Sequence, residues 1–264
     1  YRWFLSYLYR DEYGRPLKKK SGFFAEFGSY IHLIMQMYLD GVLKKNELST
    51  FYVAHFSSNV RSKAPNQKIY HNYFEQGFRY LDNLSFPQRT VLGVEQNVNF
   101  SFAGKPWTGF IDLVSEDNGK LIITDHKSRL LKPRSHRSSP TKSDLELDSY
   151  LRQLYVYSAS IKDQYGRYPD ALEFNCFRSQ TMIQEPFRMD RMREIELWSK
   201  EEIEKMKRYG RIYTIMLIVT VVSAVPLFMW LGVWAFIPWG IIWAISMYFA
   251  LKIEKVKKDN DVQS

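Results

Sequence analysis

Apolar and polar residues alternate between positions 91 and 127 in a pattern that predicts three consecutive β-strands. The first covers Val91–Phe102, and the other two lie within Trp107–Lys127. An Asn118-Gly119 pair between them favours a type I′ turn, which needs positive φ at both central residues. We predict a four-residue turn at 103–106 before the hairpin. Strands that follow one another this closely form an antiparallel meander.

Helical periodicity marks the segments on both sides of these strands. The predicted helices are Tyr1–Arg10, Phe23–Leu39, Phe51–Ser62, Gln67–Leu84, Asp144–Gln164 and Met189–Arg211. A further strand is predicted at Ala171–Arg178. The hairpin carries apolar residues on both faces, including Phe110 on one and Ile111 on the other, which is typical of a sheet covered by helices on both sides. The fold class is therefore α/β, with a mixed β-sheet flanked by helices.

The Asn-Gly turn also fixes the register of the hairpin. If its two residues form the loop, Asp117 lies opposite Lys120, and Asp112 lies directly opposite Asp125. Two carboxylates that close repel each other unless one is protonated or a cation lies between them. Lys127 projects from the same face as Asp125, two residues further on. The hairpin therefore predicts a divalent-metal site with a catalytic lysine beside it.

Other polar residues stand at positions that could join this site. Gly28 and His32 lie four apart on one helix face, and Glu95 is at the centre of the first strand. Gln153 and Tyr157 share a face of the helix that follows the hairpin. Taken singly, each has an ordinary structural alternative, such as a buried core histidine or a surface salt bridge. Carboxylate oxygens suit Mg²⁺ or Mn²⁺, and an imidazole ligand shifts the preference toward Mn²⁺.

In chain order these residues form G-x-x-x-H, E, G-x-x-D, D-x-K and Q-x-x-x-Y. The pattern resembles the PD-(D/E)xK nuclease superfamily, and within it the RecB-like branch with its Cas4-like exonuclease domains. The segments that carry it are Gly28–His32, Glu95, Gly109–Asp112, Asp125–Lys127 and Gln153–Tyr157. The resemblance covers residues 1–198 and implies a restriction-endonuclease-like core with metal-dependent DNA exonuclease activity.

The resemblance also implies a role for each residue. The implied metal ligands are His32, Asp112, Asp125 and the backbone carbonyl of His126. Lys127 would be the catalytic lysine, while Gln153 and Tyr157 would support the site and contact DNA. Glu95 matches a recurrent acidic position with a less defined role.

The single cysteine, Cys176, limits the cofactors. It excludes an internal disulfide, a cysteine-based zinc site and a cysteine-ligated iron–sulfur cluster within this chain. Many RecB-like relatives hold such a cluster with four cysteines, so this chain departs from them and no cluster is expected. Cys176 itself is interpreted as a small buried apolar residue. The expected cofactor is Mg²⁺ or Mn²⁺ alone.

Residues 212–251 contain no charged side chain over 40 positions. A membrane span needs roughly 20 apolar residues, so this length predicts a two-helix transmembrane hairpin. Lys and Arg flank both ends, which favours a cytoplasmic location for the charged linker 199–211 and the basic tail 252–264. The alternative is a buried hairpin of a soluble domain. Because the chain begins with Tyr rather than Met, its true N-terminus is expected to be missing.

The formal net charge of +9 indicates a nucleic-acid or anionic-membrane partner. The basic loop Arg129–Ser143 is either a solvated loop or a contact for DNA phosphates. Together these features predict a metal-dependent deoxyribonuclease, bacterial or phage-encoded, tethered to the cytoplasmic face of a membrane. The family resemblance adds a possible helicase or recombination partner and a role in DNA repair. The alternative is a non-catalytic DNA-binding or membrane-scaffolding protein that retains the nuclease fold.

Overall fold

The computed structural model describes residues 22–135, 137–208 and 211. The described residues up to 195 form one compact unit, and the described residues from 196 onward belong to a second. The predicted N-terminal helix at 1–10, the predicted membrane hairpin at 212–251 and the tail at 252–264 lie outside the described residues. Within the described ranges, no helix combines the length and apolar character needed to cross a membrane.

In the described part of the chain, three helices precede the sheet: α1 (Phe23–Leu39), α2 (Leu48–Asn59) and α3 (Gln67–Asp82). The predicted bounds of α1 are confirmed, and Gly41 just beyond it adopts a φ of 75°. Helix α2 begins three residues earlier than predicted. The reason is a 3₁₀ turn at Lys45–Glu47, in which the Glu47 carboxylate accepts the Lys44 backbone N–H at 2.8 Å.

Five strands form one sheet in the order β1-β2-β3-β4-β5. They are β1 (Thr90–Phe102), β2 (Lys105–Asp117), β3 (Lys120–Lys127), β4 (Ala171–Cys176) and β5 (Thr181–Pro186). The predicted meander of β1, β2 and β3 is antiparallel, whereas β3 and β4 pair in parallel, so the sheet is mixed as predicted. Strand β5 pairs antiparallel with β4 and was absent from the sequence prediction.

Helix α4 (Lys142–Tyr165) makes the connection between the two parallel strands. It begins with a capping box in which Thr141 and Asp144 bond each other's backbone N–H groups, and it ends at Gly166, whose φ is 73°. The last helix, α5, covers residues 189–208. Helix α4 begins two residues before its predicted start at Asp144, and α5 begins at its predicted start, Met189.

The turn between β1 and β2 and the turn between β2 and β3 are each two residues long. Asn118 and Gly119 have φ values of 50° and 79°, and Asp117 pairs with Lys120 as predicted. The predicted four-residue turn at 103–106 is wrong, because Ala103 and Gly104 alone form the turn, with φ values of 51° and 72°. Residues 105 and 106 already pair across to β1.

The described residues of the first unit form two hydrophobic cores. One packs α4 against the sheet, and the other joins α1, α2 and α3. Ile111 and Val114 both belong to the α4 core, although residues three apart in a regular strand face opposite sides. The regular alternation of side chains between the two faces of the sheet is therefore interrupted in β2 between these residues, at Asp112–Leu113. Phe110, predicted to lie under a helix, is 53% exposed.

Candidate metal centre and active site

Asp112 lies where the β2–β3 ladder ends. The last paired residues are Leu113 and Thr124, so the register places Asp112 and Asp125 one step beyond the ladder. Asp112 Oδ2 accepts a 2.6 Å hydrogen bond from the His126 backbone N–H. The carboxylate thus takes the place of a strand partner, and its position is tied directly to the backbone of β3.

His32 reaches the same point from α1. Its Nε2 lies 2.9 Å from the His126 carbonyl oxygen, which can only accept, so Nε2 carries the proton and donates. The other ring nitrogen, Nδ1, lies 3.6 Å from Asp112 Oδ2 and 3.7 Å from Glu95 Oε1. The Nδ1 atom is therefore the one available as a metal ligand.

Glu95 lies at the site, and its own backbone conformation is irregular. Its φ is 47°, a value uncommon for a non-glycine residue. The neighbouring pairs are Val94 with Leu113 and Gln96 with Ile111, so the register places Glu95 level with Asp112. Positive φ and the break in β2 occur at the same level of the sheet. Such local strain in a strand is concentrated at functional sites.

His32, Glu95 and Asp112 together form a candidate metal group, since one ligand atom from each lies within 4.8 Å of the others. The side-chain ligands predicted from the sequence are His32, Asp112 and Asp125. In the structure Glu95 completes the group, and Asp125 instead pairs with Lys127 at 2.9 Å. The His126 carbonyl, also named as a ligand, accepts a hydrogen bond from His32 Nε2, and its role as a ligand stays a prediction, as does that of Asp125.

Lys127 is held between an acid and an amide. Its Nζ lies 2.9 Å from Asp125 Oδ2, and it donates a 3.3 Å hydrogen bond to Gln153 Oε1. The ammonium also stands 5.2 Å from the centre of the Tyr150 ring. Burial disfavours the charged ammonium, but Asp125 outweighs it, so the pKa of Lys127 is raised. Lys127 therefore stays cationic at neutral pH.

A half-buried group of two acids and an imidazole therefore lies near the lysine that ends β3. The chain matches the PD-(D/E)XK nuclease superfamily over residues 1–213. It belongs to the PD-(D/E)XK nuclease superfamily. No curated protein matches the chain. Members of this superfamily are nucleases that use divalent metal ions, which agrees with the acidic group at Asp112.

The electrostatics of the nuclease centre fit a dication. Burial, followed by the charge of Asp125, raises the pKa of Asp112 to about 7. Burial lowers the pKa of His32, but hydrogen bonding to Glu95 and the charges of Asp112 and Asp125 outweigh it, so that pKa is raised. The carboxylates of the group therefore favour a bound positive charge, which protons supply in the absence of a metal. Two carboxylates and an imidazole are donors that suit Mg²⁺ or Mn²⁺, and such a cation would displace those protons.

Gln153 and Tyr157 face one way on α4, as predicted, with Gln153 Nε2 donating to the Tyr157 hydroxyl at 3.4 Å. The Tyr157 ring lies against the backbone of Gly109. A Cβ added at Gly109 would come within 2.6 Å of this ring. The glycine of G-x-x-D and the tyrosine of Q-x-x-x-Y are thus in direct contact, a relation that their separation in sequence conceals.

His126 anchors the centre on the opposite face of the sheet. Its ring is buried, and Asn175 Nδ2 lies 3.0 Å from Nδ1 and donates to the Tyr80 hydroxyl at 2.6 Å. Burial and the neighbouring His32 lower the pKa of His126 to about 3, so the ring is neutral. A neutral, packed ring fixes the backbone of β3, whose N–H and carbonyl hold Asp112 and His32.

Two further residues near the centre were missed by the sequence analysis. Tyr150 stands three residues before Gln153 on the same helix face, a spacing that could have suggested its contact with Lys127. Arg178 stacks on Tyr73 at 3.9 Å and donates to the Ser128 carbonyl at 3.4 Å, next to Lys127. The second contact joins segments 50 residues apart and leaves no local signal.

The basic loop at 129–143 is partly neutralised by acids. Arg134 bonds Asp148 at 2.7 Å and Glu185 at 3.1 Å, while Arg129 pairs with Glu146 at 2.9 Å. Arg134 therefore fastens the loop to α4 and β5. The prediction that the loop contacts DNA phosphates stays a prediction, and it does not rest on Arg134.

Proposed function

We propose that this chain is a metal-dependent deoxyribonuclease that hydrolyses phosphodiester bonds. One observation carries the proposal, namely the approach of His32, Glu95 and Asp112 within 4.8 Å beside the partly buried ammonium of Lys127. A cation bound there would polarise the scissile phosphate and activate a water. Superfamily membership supports the same reaction.

The role of Lys127 follows from its partners. Because Asp125 raises its pKa, Lys127 is a poor general base at neutral pH. We assign it to neutralising the negative charge that develops on the phosphate, for which a cation held in a fixed position is effective. Asp125 and Gln153 orient the ammonium of Lys127. The Tyr157 hydroxyl in turn accepts a hydrogen bond from Gln153 and so fixes the position of its amide.

The finer assignments extend this proposal. The order of the five motifs favours a RecB-like, Cas4-like exonuclease that degrades DNA from an end, with Mn²⁺ or Mg²⁺ as cofactor. The His126 carbonyl and Asp125 remain proposed as additional ligands once a cation enters, and Gln153 and Tyr157 as DNA contacts. The positive charge of the chain, +9, favours sequence-independent contact with the DNA backbone.

We also propose that residues 212–251 anchor the enzyme at the cytoplasmic face of a membrane, where it would meet entering DNA in a bacterial or phage setting. The uncharged stretch of 40 residues supports this attachment. A helicase or recombination partner would supply strand ends. Fractionation of cells expressing the full chain, followed by carbonate extraction, tests the anchor, and recovery in the soluble fraction would contradict it.

The nuclease activity is tested with the purified full chain, end-labelled linear and circular DNA, and Mn²⁺ or Mg²⁺. We expect cleavage that EDTA abolishes and that requires free ends. Asp112→Asn should abolish cleavage and Lys127→Gln should slow it by about 10²–10³-fold, while DNA binding, measured by fluorescence anisotropy, persists in both variants. The matched controls are Asp163→Asn on α4 and Lys120→Gln at the start of β3, which lie away from the cluster and should cleave like wild type.

Two results of this assay would favour a different function or mode of cleavage. Metal-dependent cleavage of circles as fast as linear DNA would retain the nuclease and reject the exonuclease mode. DNA binding without any cleavage, in both metals, would instead favour the non-catalytic DNA-binding protein that retains this fold.

A further inference from the structure

A groove of about 470 Å³ runs alongside α1 and leads to the candidate metal centre. Its lining includes Phe24, Gly28, His32 and Gln36 on α1, which face Glu95 and Ser128. Two members of the metal group, His32 and Glu95, therefore form part of its wall. A phosphate held at the metal group would have its neighbouring nucleotide at the mouth of this groove.

Gly28 keeps the middle of the groove open. Glycine inside a helix is less stable than alanine, so its presence needs a reason. Packing within the described residues does not supply one, because a Cβ at Gly28 would meet only the Ser128 side chain, at 3.8 Å, an ordinary contact distance. By contrast, a Cβ at Gly77 on α3 would fall 2.5 Å from the Tyr52 hydroxyl. Gly77 is required by the fold, whereas the space above Gly28 is left free.

Phe24 stands one helical turn further along the same wall. Its ring is supported by Phe23 at 5.5 Å and Tyr73 at 5.0 Å, yet 45% of the residue is exposed. A large aromatic ring that is held in place from one side and open on the other is a stacking platform of the kind that single-stranded nucleic acids use.

The charge of the groove selects the part of a nucleotide that enters. Its lining contains the Glu95 carboxylate and, among the described residues, no lysine or arginine. A phosphate would be repelled there, while an uncharged base would not. The spacing also fits, because the four residues from His32 to Gly28 cover about 6 Å of helix. A stacked strand advances about 3.4 Å per nucleotide, so the first or second base from the metal group reaches Gly28.

We propose that the groove is a nucleobase subsite, in which the base next to the scissile phosphate lies over Gly28 and stacks on Phe24. This subsite rests on the proposed nuclease function. It gives Phe24 and Gly28 a part in substrate positioning that is separate from metal binding.

The first test is Gly28→Ala in the full chain. We expect a Tm equal to or above that of wild type, because alanine favours the helix. Mn²⁺ affinity should stay within about twofold, while kcat/KM falls by about 10- to 100-fold because the base is displaced from its position. Wild-type cleavage by this variant would overturn the subsite.

The second test is Phe24→Ala combined with an oligonucleotide that carries one abasic nucleotide, placed in turn at each position beside the cleaved bond. On intact DNA, loss of stacking should lower kcat/KM by about 5- to 150-fold. On DNA abasic at the subsite, wild type and Phe24→Ala should cleave equally, because the partner of the ring is gone. Phe24→Trp should retain activity. Val53→Ala, which truncates an apolar side chain 48% exposed on α2, is the matched control and should change nothing.

An equal penalty for Phe24→Ala on intact and on abasic DNA would reject base stacking. If the wild-type chain cleaves nothing, the nuclease proposal fails first. The subsite is then decided by the fluorescence of 2-aminopurine in a bound oligonucleotide with Mn²⁺. Quenching that Phe24→Ala removes supports the subsite, and its absence rejects it.

Discussion

The His126 backbone N–H donates a 2.6 Å hydrogen bond to Asp112 Oδ2, immediately past the last pair of the β2–β3 ladder. His126 also accepts a hydrogen bond from His32 through its carbonyl. One peptide segment of β3 therefore orients two candidate ligands from different elements. Because these contacts use the backbone of β3, we expect the site geometry to depend on the packing that holds this strand, including that of the buried His126 ring.

Asp112→Asn is expected to stabilise the metal-free protein at alkaline pH. Folding raises the pKa of Asp112 from 3.8 to about 7, so the folded state binds the proton more tightly than the unfolded state. Its contribution to stability is therefore lost as the pH rises through this range, by about 2–4 kcal/mol. Because asparagine does not titrate, this pH-dependent loss of stability is absent from the variant. Urea unfolding in EDTA at pH 5 and pH 8 should show a stability advantage of the variant that grows with pH. An advantage larger at pH 5 would contradict it.

Lys127→Gln is expected to lower kcat by about 10²–10³-fold with little change in Mn²⁺ affinity, because a charge aimed at the phosphate is lost. Since the pKa of Lys127 is raised from 10.5, wild-type activity should show no rise near pH 9–10 that depends on this residue. Rate profiles of both proteins across pH 6–10 measure this. An alkaline rise present only in wild type would show that Lys127 acts as a base.

Glu95→Gln is expected to weaken Mn²⁺ binding by at least about tenfold, because it removes an anionic ligand from the group formed with His32 and Asp112. Isothermal titration calorimetry on the full chain measures this affinity. Glu116→Gln, at a half-exposed acid of the same sheet, is the matched control and should bind normally. If Asp125→Asn abolishes binding and Glu95→Gln leaves it intact, the ligand set predicted from the sequence is the correct one.

Mn²⁺ affinity is expected to increase with pH through the neutral range. The raised pKa values of His32 and of Asp112, the latter about 7, mean that protons occupy the metal-free site at pH 6. The cation must displace them, so binding releases protons. Calorimetry at pH 6 and pH 8 in buffers of different ionisation enthalpy measures the release. Affinity that is independent of pH would place the cation elsewhere.

Gly109→Ala is expected to destabilise the fold by about 1–3 kcal/mol, because its Cβ would meet the Tyr157 ring at 2.6 Å. Tyr157→Ala removes the obstacle, so the double variant should lose less stability than the sum of the two single changes. Thermal unfolding of the four proteins completes the cycle. Strict additivity would mean that the ring moves away without cost.

Local sequence signals were sufficient to predict much of this fold. The Asn118-Gly119 turn fixed the hairpin register, and glycines fixed the ends of α1 and α4. Strand β5 escaped prediction because its six residues include one buried side chain, that of Ile183. The two-residue turn at Ala103-Gly104 was also missed, since Ala at positive φ is unfavourable in isolation and is imposed by the paired strands.

The candidate site was harder to predict from the sequence than the fold. Order along the chain drew attention to His32, Asp112 and Lys127. The nearness of Glu95 depends on a positive φ and on a break in the alternation of β2, and neither follows from residue type. Contacts such as Gly109 with Tyr157 depend on how α4 packs across the sheet, which no local pattern encodes.

The three members of the metal group lie far apart along the chain, at positions 32, 95 and 112. An ion shared by them would close loops that the unfolded chain leaves open, and the unfolded chain would offer it no comparable site. At a hundred times its dissociation constant, such an ion would add about 2.7 kcal/mol to folding. The same ion would then be needed both for DNA cleavage and for the stability of the folded protein. Loss of the metal would therefore make the protein more sensitive to proteolysis as well as inactive.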